Sequence, residues 1–285
     1  MSALRLATGI QRVVGGEIFA IDTELGRLKH YAPPPGSKPV PGKTFAFRHV
    51  HFSPPYNPLS YLDAFEHCVR QGARVILVDS MSHEHNGIGG FLEMADPNRK
   101  DAGKWAAPKA ERLQVKNRAM QLPVHFVFCF RGKEKIKLVR GEEPEQLGTM
   151  PESGNDWIYE MTAQCLLRPR SGGVPDWVDT ARGEGQAMKL PEPFRHILTT
   201  GEPLSEDMGE AMARWAEGGP MGIYEELAIA IGQSDGSTLE ALAARAKAAT
   251  AAGAAERLNR VEALALSNAI AGRRAELAPA GSVTP

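Results

Sequence analysis

Residues 72–90, GARVILVDSMSHEHNGIGG, constrain this chain more than any other stretch. Within them the run RVILV at 74–78 is too short for a helix, and it lies between Gly72 and a polar cluster. Such a run is expected as a strand buried on both faces, the kind found in parallel sheets covered by helices. It ends on Asp79, followed by the hydroxyl of Ser80. A carboxylate at the C-terminal end of a buried parallel strand stands where open α/β sheets place their ligand chemistry. Asp also caps turns through its side chain, so this position alone leaves a structural role open.

The sequence before it has the same rhythm. Leu4, Ala7, Ile10 and Val14 recur at helical spacing, Gly15 and Gly16 stop the helix, and EIFAI at 17–21 reads as a strand that finishes in the acids Asp22 and Glu24. Residues 32–42, APPPGSKPVPG, fit neither helix nor central strand and form an exposed connection, after which 45–52 resumes a strand. Asn57 and Pro58 are an N-cap and a first-turn residue for a helix with Leu59, Leu62, Phe65 and Val69 on its apolar stripe. Two strands thus bracket a helix, which predicts a right-handed parallel crossover.

Downstream, a helix is expected over 108–120, and HFVFCF at 125–130 is a fourth strand that ends at Arg131. Lys133, Lys135 and Lys137 follow on a hairpin with 138–140, and WIYEMTAQCLL at 157–167 reads as one or two further strands. The last third is helical: 206–217 behind Ser205, 223–231, and 239–275 behind a capping box of Ser237 and Glu240, broken near Gly253. The expected class is α/β, a mostly parallel sheet flanked by helices over 1–201. A small helical region, 202–285, follows and ends in a short disordered tail.

At 285 residues and 42% hydrophobic the chain can bury one large core, or one core and a small second domain. No apolar run approaches membrane-spanning length and the first residues lack a signal pattern, so a cytoplasmic protein without a membrane partner is expected. Cys68, Cys129 and Cys165 are widely spaced, which suggests neither a disulfide framework nor a zinc knuckle.

The net charge of −1 conceals an asymmetry. Residues 99–140 carry twelve basic against three acidic residues, while 141–285 carry twelve basic against twenty-two acidic. Phosphate is the natural partner of the cationic segment, and single-stranded DNA the expected macromolecule, held through Arg99, Lys100, Lys104, Lys109, Arg112, Lys116 and Arg118. Lys109, Arg112 and Lys116 fall at i, i+3 and i+7 along one helix face. Trp105 either stacks on a base or anchors packing. The competing account pairs the patch with the acidic segment, within one chain or between copies.

Two other motifs stand in the sequence. Gly42-Lys43-Thr44 ends like a phosphate-binding loop, but the strand pattern FAFRHVHF follows it where such a loop needs a helix. His49-x-His51 and His83-Glu84-His85 are metal-ligating residue types, yet no further ligands stand at suitable spacing.

Taken together, ALRLATGI, EIFAIDTE, FRHVHFSPPYNPLSYLDAFEHC, ARVILVDSMSHEH and HFVFCFRGKEKIK, with an EM-containing segment after them, resemble the AAA-type, RecA-like P-loop ATPases of phages and prophages that act in DNA recombination and repair. The resemblance covers roughly residues 2–200. It implies that Asp79 is the Walker B acid that holds Mg²⁺, with Ser80 the hydroxyl beside it, and that Glu24 activates the attacking water. It places Arg131 and Lys133 as strand-end cations that sense the nucleotide or reach a neighbour's phosphate in a homo-oligomer. ATP and Mg²⁺ are the implied cofactors, and the basic segment after Asp79 lies where such proteins face DNA.

In those relatives the segment ALRLATG directly follows the Walker A loop, G-x-x-x-x-G-K-T. Here it follows Met1 and Ser2, so the loop and the interior strand before it are expected to lie outside these residues, with ATP bound weakly or not at all by residues 1–285 alone. The neighbours of that strand would then expose unpaired backbone groups and invite dimerisation. A non-catalytic DNA-binding or assembly module is the alternative reading.

Overall fold

The computed structural model describes residues 1–98, 100–137, 145–153, 156–177, 189–191, 194–218, 222–251 and 257–278. Helix α1 (Ser2–Val14) buries Leu4, Ala7 and Ile10, the stripe expected from their spacing. Gly15 and Gly16, both at positive φ, turn the chain into strand β1 (Glu17–Asp22). Strand β2 (Arg48–His51) follows the proline-rich connection. Helix α2 (Pro58–Arg70) starts as expected, with the Asn57 side chain accepting from the Ser60 N–H at 2.9 Å, and leads into β3 (Ala73–Asp79).

After β3 come a short helix α3 (Ser82–Asn86), helix α4 (Ala106–Ala119) and strand β4 (His125–Cys129). The four strands form one all-parallel sheet in the order β2-β1-β3-β4, so the expected α/β class is borne out. Successive residues of β3 serve opposite faces, as a pleated strand requires. Ile76 and Val78 pack with Tyr61 and Phe65 of α2, while Val75 and Leu77 pack with Ala7, Ile10 and Leu4 of α1. The register aligns Asp22 with Asp79 and Asp79 with Cys129, which sets a single row across the carboxyl edge.

Strand β3 is paired on both sides, with β1 and with β4, while β2 and β4 are the outer strands of the sheet among the described residues.

A separate antiparallel ribbon joins β5 (Gly132–Lys137) to β6 (Glu145–Pro151). The hairpin partner expected at 138–140 lies outside the described residues. Where strands were expected at 157–167 the chain forms helix α5 (Asp156–Glu160), and only the isolated bridge between Leu166 and Asp176 is strand-like. Trp157, Ile158 and Met161 stand at i, i+1 and i+4, a spacing that also serves a helix, and burial of Trp157 against Phe128 decides between the two.

The C-terminal helices are α6 (Arg195–Leu198), α7 (Glu206–Ala216), α8 (Ile223–Gln233), α9 (Gly236–Ala248) and α10 (Arg260–Leu277). They share a second core of Leu204, Met208, Leu227, Ile231, Leu239 and Leu266, which also takes in Phe194, Ile197 and Leu198. The N-cap of α9 is Asp235, not Ser237: its carboxylate accepts from the N–H groups of Ser237 and Thr238 and leaves Ser237 inside the first turn. The break expected near Gly253 lies outside the described residues.

Helix α7 crosses α1 at backbone contact. A methyl group on Gly9 would land on the Glu206 carbonyl, and one on Gly209 on the Leu6 carbonyl. Arg5 pairs with Glu206 at 3.0 Å across the same crossing. No helix among the described residues is long and apolar enough to cross a membrane.

Candidate functional site

The carboxyl edge of the sheet gathers the expected acids. Asp22 ends β1 with no exposed surface, and its carboxylate accepts from the Glu24 N–H at 2.8 Å and the Leu28 N–H at 3.0 Å, with His49 Nε2 at 3.0 Å. Burial acts to raise its pKa, but the hydrogen bonds from His49 and from the backbone of Leu28, Glu24 and Gly26 win and hold it below the usual carboxylate value. A charged Asp22 therefore folds the 23–28 loop back on itself, and that loop carries Glu24.

Glu24 is clamped by cations. Arg131 Nη2 donates to its Oε1 at 2.6 Å and Arg27 Nη2 lies 3.5 Å from Oε2. Arg131 is itself placed from β4: its backbone N–H donates to Ser82 Oγ at 2.9 Å, and its carbonyl accepts from the Glu152 N–H beside β6. Next to this pair, Thr23 joins two strands. Its backbone N–H donates to the Asp79 carbonyl, and its Oγ1 accepts from the Ser80 N–H at 2.7 Å. Ser80 Oγ in turn accepts from the Ser82 N–H at 3.1 Å.

Asp79 differs from its neighbours. Its carboxylate makes no hydrogen bond or ion pair with a described side chain or backbone N–H. Its pKa is raised, first by burial, then by the charges of Glu24 and Asp22, while Arg27 and the α-ammonium group of Met1 act the other way. Ala3 and Leu4 pack in one cluster with Leu77 and Cys129, which puts the amino end of α1 at this same edge. A half-buried acid surrounded by acids and left unpaired is a place for a cation.

The basic segment behaves otherwise. Arg112 is buried, not presented to solvent: it donates to both oxygens of Glu84, at 2.9 and 2.8 Å, and lies 3.6 Å over the Phe91 ring. The expected phosphate-binding stripe of Lys109, Arg112 and Lys116 is therefore corrected, because Pro108, Arg112, Val115 and Ala119 form the buried stripe of α4. Lys116 pairs with Glu160 at 2.9 Å and Arg118 with Glu66 at 2.8 Å, so acids of α5 and α2 take them. Lys100 and Lys109 are exposed, and Lys133 lies 4.0 Å from Glu152 with most of its surface free. Arg99 lies outside the described residues.

Trp105 is a packing anchor. Phe91 stacks on it at 5.4 Å and Lys104 Nζ sits 5.4 Å over its ring.

The histidines do not converge on a metal either. His49 serves Asp22, His51 meets Ser53 Oγ at 2.9 Å, His83 meets Thr23 and Arg131, and His85 lies near Arg112. Among the described residues no group of three or more His, Cys, Asp or Glu stands ready to hold a metal ion. Thr23 and Arg27 carry no motif of their own, Asp22 reads only as a strand-end acid and His83 only as part of a His-Glu-His run, and their part in the site comes from the loop after β1 folding across the end of β3. Comparison of the chain with protein-family models, with curated proteins and with solved structures gives no match.

Proposed function

We propose that the carboxyl edge of the sheet is the metal-binding and water-activating half of a magnesium–ATP site, of the kind used by the RecA-like ATPases of phage DNA recombination that the sequence resembles. The observation that carries this reading is the unpartnered carboxylate of Asp79 at the end of β3, beside the amino end of α1. Magnesium suits it. That ion is usually held by one or two carboxylates, with waters and substrate phosphates completing the shell, so a protein cage is not required. When bound it supplies positive charge to the β- and γ-phosphate oxygens of the nucleotide.

In this reading Asp79 and the Ser80 hydroxyl hold the metal. Glu24, fixed by the loop that Asp22 folds, takes the proton from the water that attacks the γ-phosphate, giving ADP and phosphate. Arg131 and Lys133 supply cations for the developing charge. Phosphates would approach the first N–H groups of α1, which its helix dipole makes favourable to anions. Single-stranded DNA is the polyanionic partner, met by exposed Lys100 and Lys109 in place of the buried face of α4. A non-catalytic DNA-binding module draws less support, because Arg112, Lys116 and Arg118 are already paired with acids.

Manganese(II) provides the test, since it substitutes for magnesium and broadens nearby NMR signals. Added with ATP to ¹⁵N-labelled protein, it is expected to broaden the amide signals of 22–24, 79–82 and the start of α1, and Asp79→Asn is expected to abolish the effect. Broadening confined to other regions, or unchanged in the variant, would overturn the reading.

A further inference from the structure

The proline-rich connection between β1 and β2 takes no part in the chemistry at the carboxyl edge. Residues 25–62 hold five Lys or Arg and no Asp or Glu. Arg27 and Arg48 are taken by Glu24 and Glu17. Lys29, Lys38 and Lys43 are exposed, and no carboxylate among the described residues pairs with them. Helix α4 neutralises Arg112, Lys116 and Arg118 within the fold, whereas this connection leaves its lysines facing solvent, where a polyanion is their natural counter-ion.

The connection is held in one shape. The Phe45 N–H donates to the Tyr31 carbonyl at 2.8 Å and Phe45 is buried, so 31–45 closes on itself as an Ω-loop does. Within it the Ser37 N–H donates to the Pro34 carbonyl at 2.9 Å, and the Val40 N–H to Thr44 Oγ1 at 2.7 Å. Prolines at 33, 34, 35, 39 and 41 restrict its backbone further, so little freedom is lost when a partner docks. The N–H groups of Lys43 and Thr44 both turn inward to the Val40 carbonyl. Gly42-Lys43-Thr44 therefore offers a side-chain cation and no backbone cradle.

Between this loop and the start of β1 lies a cavity of about 510 Å³, within the roughly 300–1,000 Å³ of small-ligand sites. Pro34, Pro35, Ile18 and Phe47 give it apolar wall, and Gln11 and Arg48 give it polar groups. Glu17 also faces it, but Arg48 holds both its oxygens, at 3.0 and 2.5 Å. Glu17 opens β1 and Asp22 ends it, which puts the cavity about 17 Å along the strand from the carboxyl edge. Ser37 lines the cavity and Lys38 is the next residue. We propose that the 31–45 loop and this cavity form a binding surface for single-stranded nucleic acid, with Lys38 and Lys43 on phosphates and an unpaired base in the cavity. A duplex keeps its bases paired and stacked and cannot supply one. A protein that reads extended proline segments fits less well, because no two prolines of the loop stand in P-x-x-P spacing. The surface depends neither on the magnesium–ATP reading nor on Lys100 and Lys109.

Fluorescence anisotropy of labelled oligothymidylate, titrated with the full chain over a range of salt, tests the surface. Lys38→Gln with Lys43→Gln is expected to keep the parent's melting temperature and to flatten the slope of log K against log salt by about 1.4, the share of two phosphate contacts on a single strand. In ¹⁵N spectra at saturating strand, the parent should show shifts over 31–48, at Ile18 and at the Gln11 side-chain amide. An abasic strand of the same length should leave Ile18 and Gln11 unshifted. Oligouridylate run beside oligothymidylate tells RNA from DNA, and tighter binding of either than of a duplex supports the surface. An unchanged slope in the double variant, Gln11 shifts that persist with the abasic strand, or a duplex bound as tightly as the single strand would each overturn the proposal. The Ile18 and Gln11 shifts should survive Lys100→Glu with Lys109→Glu, and their loss there would overturn it as well. Failure of manganese and ATP to bind would overturn only the magnesium–ATP reading.

Discussion

Helix α4 and the carboxyl edge of the sheet treat their charges in opposite ways. On α4, Arg112, Lys116 and Arg118 each reach an acid, and Arg112 does so with almost no exposure. At the edge, Asp22 and Glu24 are satisfied by His49, backbone N–H groups and Arg131, yet Asp79, level with Asp22 on the neighbouring strand, is left without a partner among the described residues. A charge count makes the basic segment the more conspicuous feature. Partnership reverses that order, because a buried charge that already has its counter-ion explains itself, whereas an unpaired one asks for something from outside.

The strongest test of this contrast is Arg112→Ala. Removing one member of a buried ion pair takes the guanidinium from the buried Glu84 carboxylate, so unfolding in urea is expected to show a loss of about 3–5 kcal/mol. The double change Arg112→Leu with Glu84→Leu should recover most of it, since an apolar pair of similar volume carries no desolvation cost. A loss below about 1 kcal/mol in Arg112→Ala would mean that Arg112 is available to solvent and to phosphate.

Glu24→Gln tests the other region through turnover. In a version extended upstream through a phosphate-binding loop, this change is expected to keep nucleotide affinity and to cut hydrolysis by about 10²-fold or more, the scale of a lost general base. Turnover equal to the parent would take Glu24 out of that role.

Exposed cations should matter least to the fold. Lys100→Glu with Lys109→Glu is expected to change stability by no more than about 0.5 kcal/mol. The same pair should weaken binding to a labelled single strand and flatten its dependence on salt, because each phosphate contact releases counterion. Unchanged anisotropy titrations would remove this surface from DNA binding.

Much of this architecture was legible in the chain itself. Short apolar runs at 17–21, 74–78 and 125–129 became parallel strands, and Asn57 capped its helix, because each signal is local. Other readings failed where a distant partner decides. Lys109, Arg112 and Lys116 share one helical spacing, but Arg112 also shares another with Pro108, Val115 and Ala119, and only the arrival of Glu84 from α3 shows which face is buried. The segment 156–160 has apolar spacing suited to strand or helix, and contact of Trp157 with β4 resolves it. Asp79 and Glu24 were visible as strand-end acids. Thr23 and His83 were not, since their roles exist only once β1 and β3 lie side by side in register.

Thermal unfolding of Asp79→Asn beside the parent tests the central claim most directly. A carboxyl whose folded pKa is raised above its unfolded value of 3.8 costs stability at neutral pH, and the cost disappears as the pH falls through the folded value. In EDTA at pH 7.5 the variant is therefore expected to melt a few degrees above the parent, with the two curves converging as the solution is acidified. In a version extended upstream through a phosphate-binding loop, magnesium with ATP should then raise the melting temperature of the parent and leave the variant unmoved. A variant that melts below the parent in EDTA, or that gains as much as the parent from magnesium and ATP, would contradict the assignment of Asp79 as an unpartnered acid awaiting a cation.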